Sequence, residues 1–341
     1  EPLLAHHSHA VVETICYAQL IHGDDTTRRL QSLSDGWHRT VGMTHQELAE
    51  RIQNDSIDIL VDLAGHTARN RLPVFGLRPA PVQLSWLGYP NTTGLPVIDY
   101  RLTDAIADPD GADDLYTEKL IRLETGLTRY LPPADAPEPG PLPARDTARV
   151  TFGSLNNLVK LNNAVIGLWS RVLKQVPGSR LLLFRDMLQG GVEERVRVEF
   201  AQHGIEDRQL ELRHERINQC SHLSVYQEID IGLDTFPWNG HVTTCEALWM
   251  GTPVVALLGP VHRGRLSASV LHQVGLEELV AENPDDYVRI AGQLASDLEQ
   301  LAQLRTGLRQ RVAESALCDG PSLAREVETD YRRIWRRWCA S

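Results

Sequence analysis

The sequence predicts an α/β protein of two domains, each a parallel sheet covered by helices. Three observations predict it. Short apolar runs rich in β-branched residues alternate with longer amphipathic stretches along the whole chain, the signature of βαβ units. Several short runs are almost continuously apolar, as expected for strands covered on both faces. The chain has 341 residues, which at roughly 100–200 residues per domain suggests two.

The elements follow in order. Residues 1–10 read as the end of a helix feeding a strand, which implies structure upstream of Glu1. Strands are expected at 11–18, 57–64 and 82–87, with a helix over 45–54 starting behind Thr44. Residues 132–145 are proline-dense and offer almost nothing to bury, so they cannot be a central strand or a helix interior. We read 132–147 as a linker between domains at 1–131 and 148–320. Strands are then expected at 150–155, 180–184, 210–213, 229–236, 254–258 and 276–281. Helices are expected at 163–176, 193–203, 221–228, 243–250 and 266–274. The first of these aligns Val165, Leu168, Trp169, Val172, Leu173 and Val176 on one face, at helical spacing. Beyond residue 285 the pattern is helical with one break at 318–321. The last piece, 321–341, carries Tyr331, Ile334 and Trp338 and is expected to dock back onto a domain.

Composition narrows the function. Apolar residues make up 42% and charged residues 23%, ordinary for a globular chain. Lys plus Arg number 34 against 45 Asp plus Glu, a net charge of −11, so generic nucleic-acid binding is not expected. No apolar run approaches the roughly 20 residues of a membrane helix, and no membrane association is expected. The five cysteines, Cys16, Cys220, Cys245, Cys318 and Cys339, are widely spaced and point to a reducing, cytoplasmic location. The histidines, including the His6, His7 and His9 group, lack a companion ligand set, so no metal site is expected.

Three segments carry chemistry. In residues 230–253 a buried strand ends at Asp234–Thr235, turns, and starts a helix near His241, Thr243 and Thr244. A helix start leaves N–H groups unpaired and carries partial positive charge, so it suits phosphates. Glu246 lies one turn on, where a carboxylate can accept ribose hydroxyls; equally, Thr243 can simply cap the helix and Glu246 favour its positive end. In residues 152–163, Asn156, Asn157 and Lys160 follow the first strand of the second domain. Lys160 can meet a diphosphate there or be a solvated lysine. In residues 62–104, His66 lies just past a strand, and Gly65, Gly88, Pro90 and Gly94 punctuate strand ends. Asn91, Thr92 and Thr93 offer amide and hydroxyl groups suited to a sugar or peptide. The nucleophile elbow, the zincin helix, the Walker loop and the dinucleotide fingerprint are absent from the sequence, which weighs against hydrolase, zinc protease, NTPase and dehydrogenase readings.

The runs DLAGHTARNRL, RPAPVQLSWLGYPNTTGLPVIDYRLTD, VTFGSLNNLVK and LDTFPWNGHVTTCEALWMGTPVV resemble the catalytic region of O-linked N-acetylglucosamine transferases, nearest to the SPINDLY-like branch. The stretch GPVHRGRLSASVLHQVGLEELVA and the LCDGPS tail also resemble that branch. The resemblance implies two Rossmann-like domains facing a cleft, the GT-B type, with the first strand of the N-terminal, acceptor-side domain missing from this chain. It implies an inverting transfer from a nucleotide sugar, UDP-GlcNAc in the first instance, to Ser or Thr hydroxyls of proteins. It also implies no cofactor or metal, and tetratricopeptide repeats upstream. By position it gives Lys160 the donor diphosphate and the leaving group. Asn157, His241, Thr243 and Thr244 fall at the phosphates, Glu246 at the ribose and His222 at the base. His66, Leu87 and Gly88 fall on the sugar and acceptor side. Val242 stands where a threonine is common and Val159 where animal enzymes have tyrosine. Fucose transfer from GDP-fucose, a nucleotide-sugar epimerase and a non-catalytic binding module are the alternatives.

Overall fold

The computed structural model describes residues 1–215 and 221–341; Cys220 and its four predecessors lie outside the described residues. The chain divides into two compact units, Glu1–Leu131 with Cys318–Ser341, and Pro132–Leu317.

Unit 1 opens with α1 (Pro2–His6), β1 (Ile15–Ala18), α2 (Asp25–Ser32), β2 (Gly36–Arg39) and α3 (His45–Asn54). It continues through β3 (Ile59–Asp62), α4 (Leu72–Gly76), β4 (Val82–Ser85), β5 (Tyr100–Thr103) and β6 (Lys119–Arg122). The strands form a parallel pair, β1-β2, and a four-stranded parallel sheet in the order β3-β4-β5-β6. The start of α3 shows why the sequence folds locally as it does. Thr44 accepts a bond from the Glu47 N–H while the Glu47 carboxylate accepts from the Thr44 N–H, a reciprocal cap that satisfies two otherwise orphaned donors. Leu48, Ala49 and Ile52 then face a core shared with Leu60, Leu72, Val74, Phe75 and Ile98.

Unit 2 contains α5 (Pro143–Thr147), β7 (Thr151–Ser154), α6 (Asn163–Gln175), β8 (Arg180–Phe184), α7 (Gly191–Gln202) and β9 (Leu210–Arg213). After the short 3₁₀ helix His222–Glu228 come β10 (Ile231–Leu233), α8 (Val242–Trp249), β11 (Val254–Leu257), α9 (Leu266–Val274), β12 (Val280–Ala281), α10 (Pro284–Ser296) and α11 (Leu298–Glu314). Its six strands run in the order β12-β11-β10-β7-β8-β9, with every pairing parallel. Counted within the unit that is 6-5-4-1-2-3, the doubly wound order, whose direction reverses between β7 and β10. Ligands of such sheets bind outside the carboxyl ends of the strands at that reversal.

The final helix, α12 (Gly320–Cys339), docks back as expected, onto unit 1. Leu323, Val327 and Ile334 share one core with Val82, Leu84, Tyr100, Leu102 and Ile121. Burying each such side chain contributes about 1.5–3 kcal/mol. Glu328 reaches back from α12 to the chain start, accepting from the Ser8 N–H at 2.8 Å and pairing with His7 Nδ1 at 3.0 Å.

Several elements differ from expectation. Strands β2, β5 and β6 were not read from the sequence; each is only four residues long and carries polar residues such as His38, Arg101 and Lys119. Residues 221–228 wind as a 3₁₀ helix, not an α-helix. The tail breaks at Asp297 as well as near 318, because the Asp297 side chain accepts from the Gln300 N–H at 2.9 Å and starts a new helix. The proline-rich stretch lies within unit 2 and is hydrogen-bonded there. Arg305, 1% exposed, donates to the Gly140 carbonyl at 2.8 Å, and the Ala144 N–H donates to Asp230 at 2.9 Å. No helix of the described residues is long and apolar enough to cross a membrane.

Candidate functional site

In unit 2 the candidate residues gather at the reversal between β7 and β10. β10 leads directly into Asp234, which is 1% exposed. Its Oδ1 accepts from the Gly240 N–H at 2.6 Å and from Asn156 Nδ2 at 3.2 Å. Burial raises the Asp234 carboxyl above its ordinary range, while the Ser267 hydroxyl, the Gly240 N–H and the Lys160 charge oppose the rise. The turn between Asp234 and α8 is pinned at both ends. Thr235 Oγ1 donates to the Trp238 carbonyl at 2.8 Å, and the buried Asn239 amide donates to the Thr235 carbonyl at 2.9 Å. Gly240 is required here, because a Cβ would lie 2.6 Å from Thr244 Oγ1 and 2.8 Å from Thr243 Oγ1.

Lys160 ends the 3₁₀ turn Leu158–Lys160 that follows β7. Its Nζ donates to the Asn239 carbonyl at 2.6 Å and lies 5.2 Å from the centroid of the Trp238 ring. Burial lowers the affinity of the amine for its proton, Asp234 opposes that, and Arg185 adds to it. The chain after β7 is held by Arg185, whose guanidinium donates to the Leu155 and Asn156 carbonyls. The amine therefore sits partly desolvated at the carboxyl end of the sheet, where an added anion would strengthen its charge.

The structure sorts the other unit-2 candidates. His241 is the N-cap residue of α8 and has no side-chain bond capping the helix. Thr243 Oγ1 donates to Asn156 Oδ1 at 3.0 Å. Asn156 therefore ties the end of β7 to both Asp234 and the start of α8. Thr244, expected to face the ligand, is 2% exposed and bonds to Ser267 Oγ at 2.8 Å; in this structure its hydroxyl is turned into the packing of α8 against α9. Asn157 is exposed and caps its own turn by accepting from the Val159 N–H at 3.1 Å. His222 Nε2 lies 3.0 Å from Glu246 Oε1, although the two are 24 residues apart in sequence.

In unit 1, His66, Leu87 and Gly88 lie past the carboxyl ends of β3 and β4. Asp62, last residue of β3, turns the chain by accepting from the Ala64 and Gly65 N–H groups at 3.2 and 2.8 Å. Leu87 adopts a left-handed conformation, φ +60°. A Cβ on Gly88 would lie 1.8 Å from the Leu63 carbonyl oxygen, so only glycine allows the two loops to pass. His66 is exposed; its Nε2 bonds to the Thr93 carbonyl at 2.8 Å, and its ring meets Tyr89 edge-on at 5.2 Å. Asn156 was singled out only as a polar group after the first strand of the second domain, and Asp234, Trp238 and Asn239 were not among the expected contacting residues. An acid closing an apolar run, followed by an aromatic–Asn–Gly turn, is the sequence signal that points to them.

A doubly wound sheet with a lysine and a helix start at its reversal point is the architecture of a class, the nucleotide-binding α/β folds. The chain belongs to glycosyl transferase family 41, whose model matches residues 3–127 and 142–327. It is 42% identical over 99% of its length to "Probable UDP-N-acetylglucosamine--peptide N-acetylglucosaminyltransferase SPINDLY" of Solanum lycopersicum. The Arabidopsis thaliana protein of the same name is 40% identical, again over 99% of this chain. The chain spans 37% and 38% of the lengths of those relatives. A solved structure of a point mutant of the Thermobaculum terrenum O-GlcNAc transferase is similar with a TM-score of 0.92 and 39% identity, covering 99% of this chain and 64% of that one.

Proposed function

We propose that this chain is the catalytic portion of a protein O-GlcNAc transferase. It moves N-acetylglucosamine with inversion from UDP-GlcNAc to Ser or Thr hydroxyls of an acceptor protein. The observation that carries the reading is the placement of Lys160 and the start of α8 at one point, the reversal of the unit-2 sheet. There the amine bonds to the Asn239 carbonyl beside the turn into α8. In the transfer, the bond from the anomeric carbon to the diphosphate breaks and negative charge grows on the diphosphate. A preorganised ammonium and unpaired helix N–H groups stabilise that charge without a metal. His241, Thr243 and Asn157 are the further phosphate contacts in this reading. Thr244 serves through its bond to Ser267, Glu246 takes the ribose and His222 the base. His66, Leu87 and Gly88 serve the sugar and acceptor.

The nucleotide-sugar domain, expected at 148–320, is assigned within unit 2 and ends at Leu317, and the acceptor-side domain is 1–131 together with Cys318–Ser341. Upstream tetratricopeptide repeats and a cytoplasmic location belong to the same reading; the names of the relatives support its donor and its protein acceptor. Calorimetric titration of the chain with UDP and with GDP tests it. Tighter binding of UDP is expected. Tighter binding of GDP would move the donor to GDP-fucose, and binding of neither would overturn the assignment.

A further inference from the structure

A buried carboxylate behind the unit-1 loops has no place in the donor chemistry. Glu118, immediately before β6, is 3% exposed. Its two oxygens accept from the Thr92 hydroxyl at 2.6 Å, the Thr93 N–H at 2.7 Å and the Thr93 hydroxyl. The Thr117 hydroxyl adds a bond at 3.2 Å. Burial alone would raise this carboxyl, but the bonds from Thr92 and Thr93 outweigh burial and hold it below its ordinary value, so it is ionised.

The bonds run on outward from it. Thr92 Oγ1, while donating to Glu118, accepts from the Gly94 N–H at 3.0 Å. That N–H shares a peptide group with the Thr93 carbonyl. The Thr93 carbonyl in turn faces His66 Nε2 at 2.8 Å. A carbonyl oxygen has no proton to give, so Nε2 must donate. The neutral ring is thereby fixed as the tautomer whose Nδ1 is an unprotonated acceptor, and His66 is exposed.

We propose that Glu118, Thr92 and the Thr93–Gly94 peptide form a hydrogen-bonded relay that makes His66 the general base for the acceptor hydroxyl. This rests on the glycosyl-transfer reading above. As the acceptor oxygen bonds to the anomeric carbon, its O–H bond breaks and the proton passes to His66 Nδ1. The carbon–phosphate oxygen bond breaks with its electron pair leaving on the diphosphate. The imidazolium so formed donates more strongly to the Thr93 carbonyl. The peptide dipole and the Thr92 hydroxyl pass that demand to the buried anion, each bond polarising the next. A buried acid supports a histidine base in the same way in a triad, here through a hydroxyl and a peptide. Glu118 and Thr92 are positioning residues. Tyr89 meets the ring edge-on, and the Asp62 carboxylate is near enough for the charges of Arg101 and His66 to lower its affinity for a proton.

The test uses Glu118→Gln and Thr92→Val in this chain. The ring C–H resonances of His66, followed by NMR, should titrate at lower pH in both variants than in the parent. In the transfer assay kcat should fall about tenfold, or about 1.4 kcal/mol of barrier. The KM for donor should be unchanged, and the acidic limb of the kcat profile should move to lower pH. His66→Ala should lose about 10²–10⁴ in kcat. If Glu118→Gln does not fold, Thr92→Val decides alone, since it leaves both Thr93 bonds to Glu118 in place. Superimposable His66 titration curves would overturn the relay. A parent chain that transfers no sugar would overturn the transfer reading instead, and the NMR comparison would still decide the relay.

Discussion

The imidazole of His222 and the carboxylate of Glu246 are bonded at 3.0 Å, Nε2 to Oε1, joining the 3₁₀ helix His222–Glu228 to the first turns of α8. Both side chains are largely but not fully covered, at 34% and 14% exposure. A nucleoside bound here would meet the two as one unit, the ring positioning the acid. His222→Ala is therefore expected to weaken nucleoside diphosphate binding by roughly ten- to a hundredfold, at about 1.4 kcal/mol per decade. Glu246→Gln is expected to weaken it as well. The double variant should fall short of the sum, with a coupling of about 0.5–3 kcal/mol. Calorimetric titration of the four proteins measures this, and strict additivity would separate the two residues.

Lys160→Ala should cost on the order of 10²–10³ in turnover, the usual penalty for removing one preorganised group from a developing anion. Acceptor binding should change little, since the amine faces Asn239 and Trp238 in unit 2. Steady-state kinetics decide this. Retention of more than about half the activity would take Lys160 out of the leaving-group role.

Excess chelator should leave nucleotide binding and transfer intact if, as proposed, the lysine and helix start supply the charge that a divalent ion supplies elsewhere. The measurement is the initial rate with and without EDTA. A large loss restored by magnesium or manganese would show that the diphosphate is neutralised differently.

Glu118 should make unit 1 sensitive to acid. Its folded carboxyl titrates below the ordinary value of 4.5. Such a group adds stability above its unfolded value and loses it as pH falls through the folded one. Denaturant midpoints should therefore fall on acidification below about pH 5, and less steeply in Glu118→Gln. Parallel pH curves for the two proteins would show that the carboxylate contributes nothing.

Much of the fold was legible because strands such as Arg180–Phe184 and Val254–Leu257 hold unbroken runs of four apolar residues, and helices such as His45–Asn54 carry their own caps. β5 was not legible. Arg101 sits in it at 1% exposure, with its charge met by Ser85 Oγ at 3.2 Å and the Tyr89 carbonyl at 2.8 Å. Those partners come from the neighbouring strand and the loop beyond it, so no local pattern announces them. The same holds for Thr244. Its sequence neighbours place it at a helix start, and only Ser267, on another helix, shows which way the hydroxyl turns.

The sequence by itself determined the alternation of strands and helices, several helix starts, and the presence of a lysine, a histidine and threonines close to one strand end and one helix start. These depend on local periodicity, capping and turn chemistry, which act over a few residues. Tertiary structure alone decided that Asn156 joins Asp234 to Thr243, that His222 holds Glu246, and that Glu118 reaches His66 through Thr92 and a peptide. Those partners are up to 87 residues apart in sequence. A hydrogen bond is made only when folding brings donor and acceptor within about 3 Å at a workable angle, and no local pattern encodes that meeting.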